Sequence, residues 1–194
     1  LYKILFYLPA ICTSTIVGTV FSKIFETNRG YLNVILRALH LDFLCQQWLA
    51  TPKTALACLL FVNIWQWTGY SMLMYYTNML NIPQDLYESA TIDGAGSFKQ
   101  FIYITFPLLR GTHIPLIILD ILGALKFFDL SYVLTDGGPA HATETFSTYI
   151  YTKSFSTFQQ GQASTIVVYM FLIAMVLTVI QLKIYYKKDK KEMS

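Results

Sequence analysis

Charge is scarce in this sequence: Asp, Glu, Lys and Arg make up 13% of 194 residues, against about 25% in soluble domains. Hydrophobic residues make up 55% and aromatics 16%, for a mean hydropathy of +0.47. That balance excludes an ordinary water-soluble globule and points to a chain that lives in a bilayer. Cysteine is also scarce. Cys12, Cys45 and Cys58 stand alone, with no Cys-x-x-Cys and no Cys/His ligand spacing, so neither a disulfide framework nor a metal site is expected. No Gly-x-x-x-x-Gly-Lys-Ser/Thr run is present to cradle nucleotide phosphates. His40, His113 and His141 lie in or beside different segments without a His-Glu-x-x-His pattern, and there is no Gly-x-Ser-x-Gly elbow. The chain is therefore not read as an enzyme, and no catalytic residue or cofactor is expected. The formal charge of +3 gathers mainly in the tail, Lys183 to Lys191. It speaks of membrane orientation and not of nucleic acid. The sequence begins at Leu1 inside an apolar run, with no initiator Met, and reads as a fragment lacking N-terminal sequence.

What is present is a set of apolar runs long enough to cross about 30 Å of hydrocarbon. The first covers about residues 1–21 with Pro9 inside it, and the second about 55–80. The third covers about 113–134 and the fourth, uncharged throughout, about 162–182. The fold class that follows is an all-α integral membrane protein with four transmembrane helices in this fragment. Between the first two, Leu32, Ile35, Leu36 and Leu39 fall at helical spacing, which predicts an amphipathic helix along the surface. Thr143 to Phe158 reads as a second amphipathic, Tyr-rich surface segment. The second run is interrupted by a polar and aromatic patch. At 100° per residue Asn63, Trp67, Tyr70 and Met74 project within a narrow arc, with Gln66 at its edge. Two readings stand: an interfacial aromatic belt with helix-to-helix hydrogen bonds, or the wall of a substrate path. Asp120 sits mid-way along the third run, sharing a face with Ala124 and Phe127, and an ionised carboxylate there needs a cavity, a cross-helix partner or a proton. Lys126 and Asp129 are spaced to pair on another face.

The longest polar interval is Asn81 to Thr112. Pro83 presets a first helical turn, Asp85 and Glu88 suit the positive end of a helix, and Gly94 permits the left-handed residue that closes one. A short helix is predicted between them, then a second segment from about Gly96 until Pro107. Here the run Glu88-Ser89-Ala90, Asp93-Gly94-Ala95 and Ile104-Thr105-Phe106-Pro107 resembles the EAA loop of ABC-importer permeases. That pattern is Glu-Ala-Ala, a Gly four residues after the second Ala, and a distal Ile-x-Leu-Pro. Ser89 replaces the first Ala and Phe106 the usual Leu. The resemblance extends over nearly the whole chain. Leu8-Pro9, Trp65-Gln66-Trp67-Thr68-Gly69, Leu125-Lys126-Phe127-Phe128-Asp129-Leu130 and Thr135-Asp136-Gly137-Gly138-Pro139 are similar to the MalF-like permeases of the carbohydrate-uptake branch.

The resemblance implies a single ABC-importer transmembrane domain over residues 1–194, a coupling loop at about 81–112, and full-length relatives with about six spans. It implies that Glu88, Ser89, Ala90, Asp93, Gly94 and Pro107 serve coupling to a cytoplasmic ATPase. On the path reading of the second run, and with a cavity around the third run's carboxylate, Asn63, Gln66, Trp67, Tyr70 and Asp120 would line the substrate path. Asp120 departs from the small or hydroxyl residue expected there. The implied partners are a MalG-like second permease subunit, two cytoplasmic ATPase subunits, an extracytoplasmic sugar-binding protein and membrane lipid. The implied location is the bacterial inner membrane, crossed several times. The lysine-rich tail places the C-terminus inside, and counting back across the runs puts 81–112 inside too. A permease for glycerol phosphate or polyols, and a membrane scaffold that transports nothing, are the alternatives.

Overall fold

The structure is a computed structural model that describes residues 2–192, with side chains described to Lys183. Leu1 of the first expected span and the side chains of Lys187, Lys188, Lys190 and Lys191, on which orientation rests, lie outside the described residues.

The first apolar run is not one helix. α1 (Tyr2–Ile11) and α2 (Ser14–Ile24) meet at 98°, so the apolar run expected as a span at 1–21 is a bent pair of helices. Pro9 is buried and has no N–H to give. The Cys12 N–H reaches the Pro9 carbonyl at 3.2 Å, Thr13 is extended (φ −64°, ψ 143°), and the helix restarts at Ser14. The carbonyl of Cys12 at the break takes a hydrogen bond from Gln66 Nε2 at 3.0 Å. A side chain 54 residues away thus satisfies a backbone group the bend exposes.

α3 (Tyr31–Ala38) and a 3-10 turn (Asp42–Leu44) follow. The expected apolar stripe splits: Leu32 and Leu36 are half-buried, whereas Ile35 and Leu39 are exposed. The deeply buried residue is polar. Asn33 donates from Nδ2 to the carbonyls of Thr27 (2.9 Å) and Gln46 (3.0 Å) and accepts at Oδ1 from Trp48 Nε1 (2.8 Å).

α4 (Pro52–Met79) is a continuous 28-residue helix opened by a proline where the missing N–H costs nothing. Its buried residues, Ala55, Cys58, Leu59, Val62, Gln66 and Gly69, fall three or four apart on one stripe. At Gly69 a Cβ would stand 1.8 Å from the Phe6 carbonyl oxygen, so only glycine lets α1 lie this close. The apolar core forms where α2, α4 and α9 (Asp129–Thr135) meet, from Val17, Phe25, Cys58, Leu59, Val62, Leu130 and Leu134.

Beyond α4 come α5 (Gln84–Ile92), α6 (Ser97–Gln100), a π-helical turn (Phe101–Thr105), α7 (Phe106–Leu108) and α8 (Arg110–Leu125). Residues 97–108 and α8 are bent by 65°. The third expected span, 113–134, is not continuous either. Lys126 leaves the helix (φ −94°, ψ 7°), and the chain restarts as α9, which packs on α2 instead of prolonging α8. Lys126 and Asp129 flank that break, so the helical spacing assumed for their pairing does not exist.

The chain closes with α10 (Phe146–Tyr151), a second π-helical turn (Thr152–Ser156) and α11 (Gln160–Glu192). Among the described residues one helical stretch, Gln160–Lys183 of α11, is long and apolar enough by itself to cross a membrane. Its 24 residues extend about 36 Å at roughly 1.5 Å each. The pair α1 and α2, and residues 97–108 with α8, reach that standard only as bent pairs. α4 has the length, but the patch from Asn63 to Tyr70 lowers its hydropathy.

Candidate functional site

α5 is bounded at both ends by backbone signals. Pro83 is the N-cap (φ −58°, ψ 132°), so the helix opens one residue later, and Asp85 lies in the first turn against the positive helix end. At the other end Gly94 takes φ +76°. Its N–H reaches the Thr91 carbonyl at 3.0 Å and the Ala95 N–H reaches the Ala90 carbonyl at 2.8 Å, the paired bonds of a Schellman closure. No atom lies within 4 Å of where a Gly94 Cβ would be, so the glycine serves backbone conformation and not space.

The inner side of α5 is strapped to the segment after it. Tyr87 Oη and Thr105 Oγ1 lie 2.8 Å apart, and Gln100 Nε2 donates to Thr91 Oγ1 (3.0 Å) and to the Ala95 carbonyl (3.1 Å). With that side fixed, Asp85, Glu88, Ser89 and Ile92 face outward, and Ile92 is 86% exposed. α5 has no buried residue, and Leu86 is exposed on it as well.

The residues predicted for coupling therefore divide. Glu88 and Ser89 are on the outer face and Asp93 is the exposed C-cap, while Ala90 and Gly94 make the closure. Pro107 is elsewhere, in α7 at the approach to the 65° bend. The π-helical turn precedes it, with the Phe106 N–H reaching back to the Phe101 carbonyl. Sequence reading missed Tyr87, Gln100, Thr105 and also His113. His113 Nε2 lies 3.1 Å from the Phe106 carbonyl and Nδ1 lies 2.8 Å from the Tyr75 hydroxyl. A carbonyl only accepts, so Nε2 carries the proton and the ring clamps the bend to the end of α4. None of these side chains carries a periodic signal; each is defined by a partner distant in sequence.

On α4, Trp67 and Tyr70 pack edge to face with ring centroids 6.2 Å apart. Trp67 is 44% exposed and Asn63 and Tyr70 are half-buried, so these three share an accessible side. Gln66 does not join them. It is 1% exposed, where the path reading expected an accessible side chain: it lies on the packing stripe with Nε2 on the Cys12 carbonyl and Oε1 buried without a hydrogen-bond partner. Asp120 is exposed on α8 near exposed Gly123 and Ala124. Phe127, expected on the same face, lies past the helix end and packs on the core instead. No hydrogen bond joins Asp120 to Asn63, Trp67 or Tyr70 among the described residues.

Comparison with known proteins adds to this geometry. The family model described as the binding-protein-dependent transport system inner membrane component matches residues 1–188. The probable ABC transporter permease protein YurN of Bacillus subtilis (strain 168) is 35% identical over 191 residues, 98% of this chain and 65% of that protein. The sulfoquinovosyl glycerol transport system permease protein SmoG of Agrobacterium fabrum (strain C58) is 33% identical over 172 residues, 89% of this chain and 55% of that protein. The chain thus spans about two thirds of YurN and little over half of SmoG. Among solved structures, the crystal structure of a bacterial ABC transporter involved in the import of the acidic polysaccharide alginate superposes with a TM-score of 0.86, covering 96% of this chain and 65% of that one. At 23% identity that likeness is one of fold. From the match over residues 1–188 and the shared helical fold, this chain belongs to the family of binding-protein-dependent transport system inner membrane components, the permeases of ABC transporters.

Proposed function

We propose that this chain is the permease subunit of an ATP-driven, binding-protein-dependent sugar importer, in which α5 docks on a cytoplasmic ATPase. The observation that carries the reading is the outer face of α5, where Glu88 and Asp85 flank an 86%-exposed Ile92 on a helix closed at Gly94 and strapped at Tyr87 and Gln100. A short helix held rigidly with its apolar residue outward is ready for a partner surface. The chain forms half of the path beside a second permease subunit of related type. Two ATPase subunits sit inside and an external binding protein delivers the sugar. Four crossings, two of them bent, put α5 and the lysine-rich tail on the cytoplasmic side.

Within the membrane, Asn63, Trp67 and Tyr70 of α4 and Asp120 of α8 line the path. Amide and carboxylate groups bond sugar hydroxyls, while aromatic faces pack on the ring. The relatives named for carbohydrate substrates support this class. A phosphate substrate fits less well, since this set holds an acid and no cation.

The test is uptake of labelled sugar, with ATP turnover, by the whole transporter reconstituted in lipid. Loaded binding protein should stimulate ATP hydrolysis, and Glu88→Lys should leave the chain in the membrane while abolishing both activities. Undiminished coupling in Glu88→Lys, with its contact charge reversed, would sink the docking assignment.

A further inference from the structure

Residues 132–156 enclose a half-open cavity of about 310 Å3 beside the start of α11, lined among others by Tyr132, Asp136, His141, Glu144, Tyr151 and Thr152. None of the residues assigned above to coupling or to the path lines it.

Its walls are firmly built. Behind it, Thr143 Oγ1 donates to the Gly138 carbonyl (2.7 Å), Thr135 and Thr143 share a hydroxyl contact at 2.6 Å, and Ser131 Oγ donates to the Thr143 carbonyl (2.6 Å). Ser131 and Thr143 are buried. On the flank, Tyr132 stacks on Phe128 at 5.1 Å and meets Tyr151 edge-on at 5.0 Å. Asp136, Ala140 and His141 hold φ of 49°, 50° and 60°. Side chains rarely adopt that backbone region, and here the hydroxyl network holds it.

The lining chemistry discriminates between occupants. An anion would meet the carboxylates of Asp136 and Glu144. A sugar hydroxyl both donates and accepts. The cavity offers both: acceptors at Asp136 and Glu144, two-way hydroxyls at Tyr132, Tyr151 and Thr152, and His141 Nδ1 at 3.1 Å from Glu144 Oε2. The two phenol rings supply a face for the apolar side of a sugar ring. The size sits at the lower end of the range of about 300–1,000 Å3 typical of small-molecule pockets.

We propose that this cavity is an entry subsite for one neutral sugar residue, at the end of α11 opposite the lysine-rich tail, and that Asp136 and Glu144 select against acidic sugars. The inference rests on the carbohydrate reading above and adds a site and a charge preference to it.

The experiment uses the whole transporter in lipid nanodiscs with saturation-transfer NMR. The probes are maltotriose, lactose and raffinose, with trigalacturonate as the acidic one. In the wild type, neutral probes should receive saturation and trigalacturonate should not. Tyr132→Ala should weaken the neutral signal at least about fivefold, as expected for the loss of an aromatic contact. Asp136→Asn with Glu144→Gln keeps size and hydrogen bonding while removing charge, and should let trigalacturonate bind. That gain cannot come from misfolding, so it decides the matter should Tyr132→Ala fail to assemble. Neutral signals indifferent to Tyr132→Ala, or trigalacturonate silent in the charge-neutral variant, overturn the subsite. Uptake by the same variants reconstituted in sealed proteoliposomes separates the two levels: intact uptake with a failed subsite overturns this proposal alone, and no ATP-driven uptake of any neutral probe overturns the carbohydrate reading.

Discussion

Substitution of Gly94 separates the two ways a glycine can matter. Its φ of +76° lies where an L-residue is strained, and no atom stands within 4 Å of a Cβ there, so the steric part of the cost is nil. What remains is the left-handed backbone, about 1–2 kcal/mol for an ordinary side chain, least for Asn and most for β-branched residues. That corresponds to a factor of roughly 5–30 in the ratio of closed to open helix end. The bonds at stake are those from position 94 to the Thr91 carbonyl and from Ala95 to the Ala90 carbonyl. Amide hydrogen exchange at Ala95 should therefore quicken by about 5–30-fold in Gly94→Ala. The change should be smaller in Gly94→Asn and larger in Gly94→Val, with sugar uptake falling in the same order. The glycine thus acts through conformation and not through a clash with neighbouring backbone. Wild-type exchange and uptake in Gly94→Val would refute the reasoning.

The opposite case is Gly69→Ala, whose Cβ would fall 1.8 Å from the Phe6 carbonyl oxygen. Overpacking of this kind costs about 1–3 kcal/mol or more, so thermal unfolding in detergent should come at lower temperature, and an unchanged midpoint would contradict the α1–α4 packing. In a background lacking Cys12, Cys45 and Cys58, cysteines at positions 63, 67 and 70 should react with a small aqueous thiol reagent and be protected by sugar, while one at buried position 66 stays inert. Equal reactivity at all four would remove the path from this face. Asp120→Leu should assemble but lose transport, and Asp120→Asn should shift apparent sugar affinity; normal transport by Asp120→Leu would show that the carboxylate faces neither sugar nor partner.

Where the sequence was legible, the signal was local. Pro83 and Gly94 mark the ends of α5 because each acts on its own backbone angle, and α11 is legible because lipid-length hydropathy needs no partner. The breaks were not legible. Pro9 and the hydroxyls of Thr13, Ser14 and Thr15 do not by themselves mark a 98° turn, and what stabilises it is Gln66 on another helix. That same contact explains why Gln66, read by periodicity as the edge of a polar face, is buried. The stop at Lys126 is of the same kind, since α9 leaves the line of α8 to complete the core with Val17 and Val62. Asn33 escaped notice because a polar residue looks like surface until the Thr27, Gln46 and Trp48 partners are known. At the coupling helix, Glu88 and Gly94 stood out by spacing, but the straps from Tyr87, Gln100 and His113 are tertiary facts.

The central claim, that α5 presents its outer face to a cytoplasmic ATPase, is tested most directly by cross-linking. Single cysteines replace Glu88 and Ile92 on the outer arc, or Thr91, which is exposed too but bonded to Gln100, on the strapped side, in the chain lacking its native cysteines, and are probed in intact cells and in inside-out vesicles. The account expects positions 88 and 92 to cross-link to the ATPase subunit and to react with an impermeant thiol reagent in inside-out vesicles alone, with position 91 unlinked. Labelling of positions 88 and 92 from outside intact cells, or cross-linking at 91 in preference to both, would contradict it.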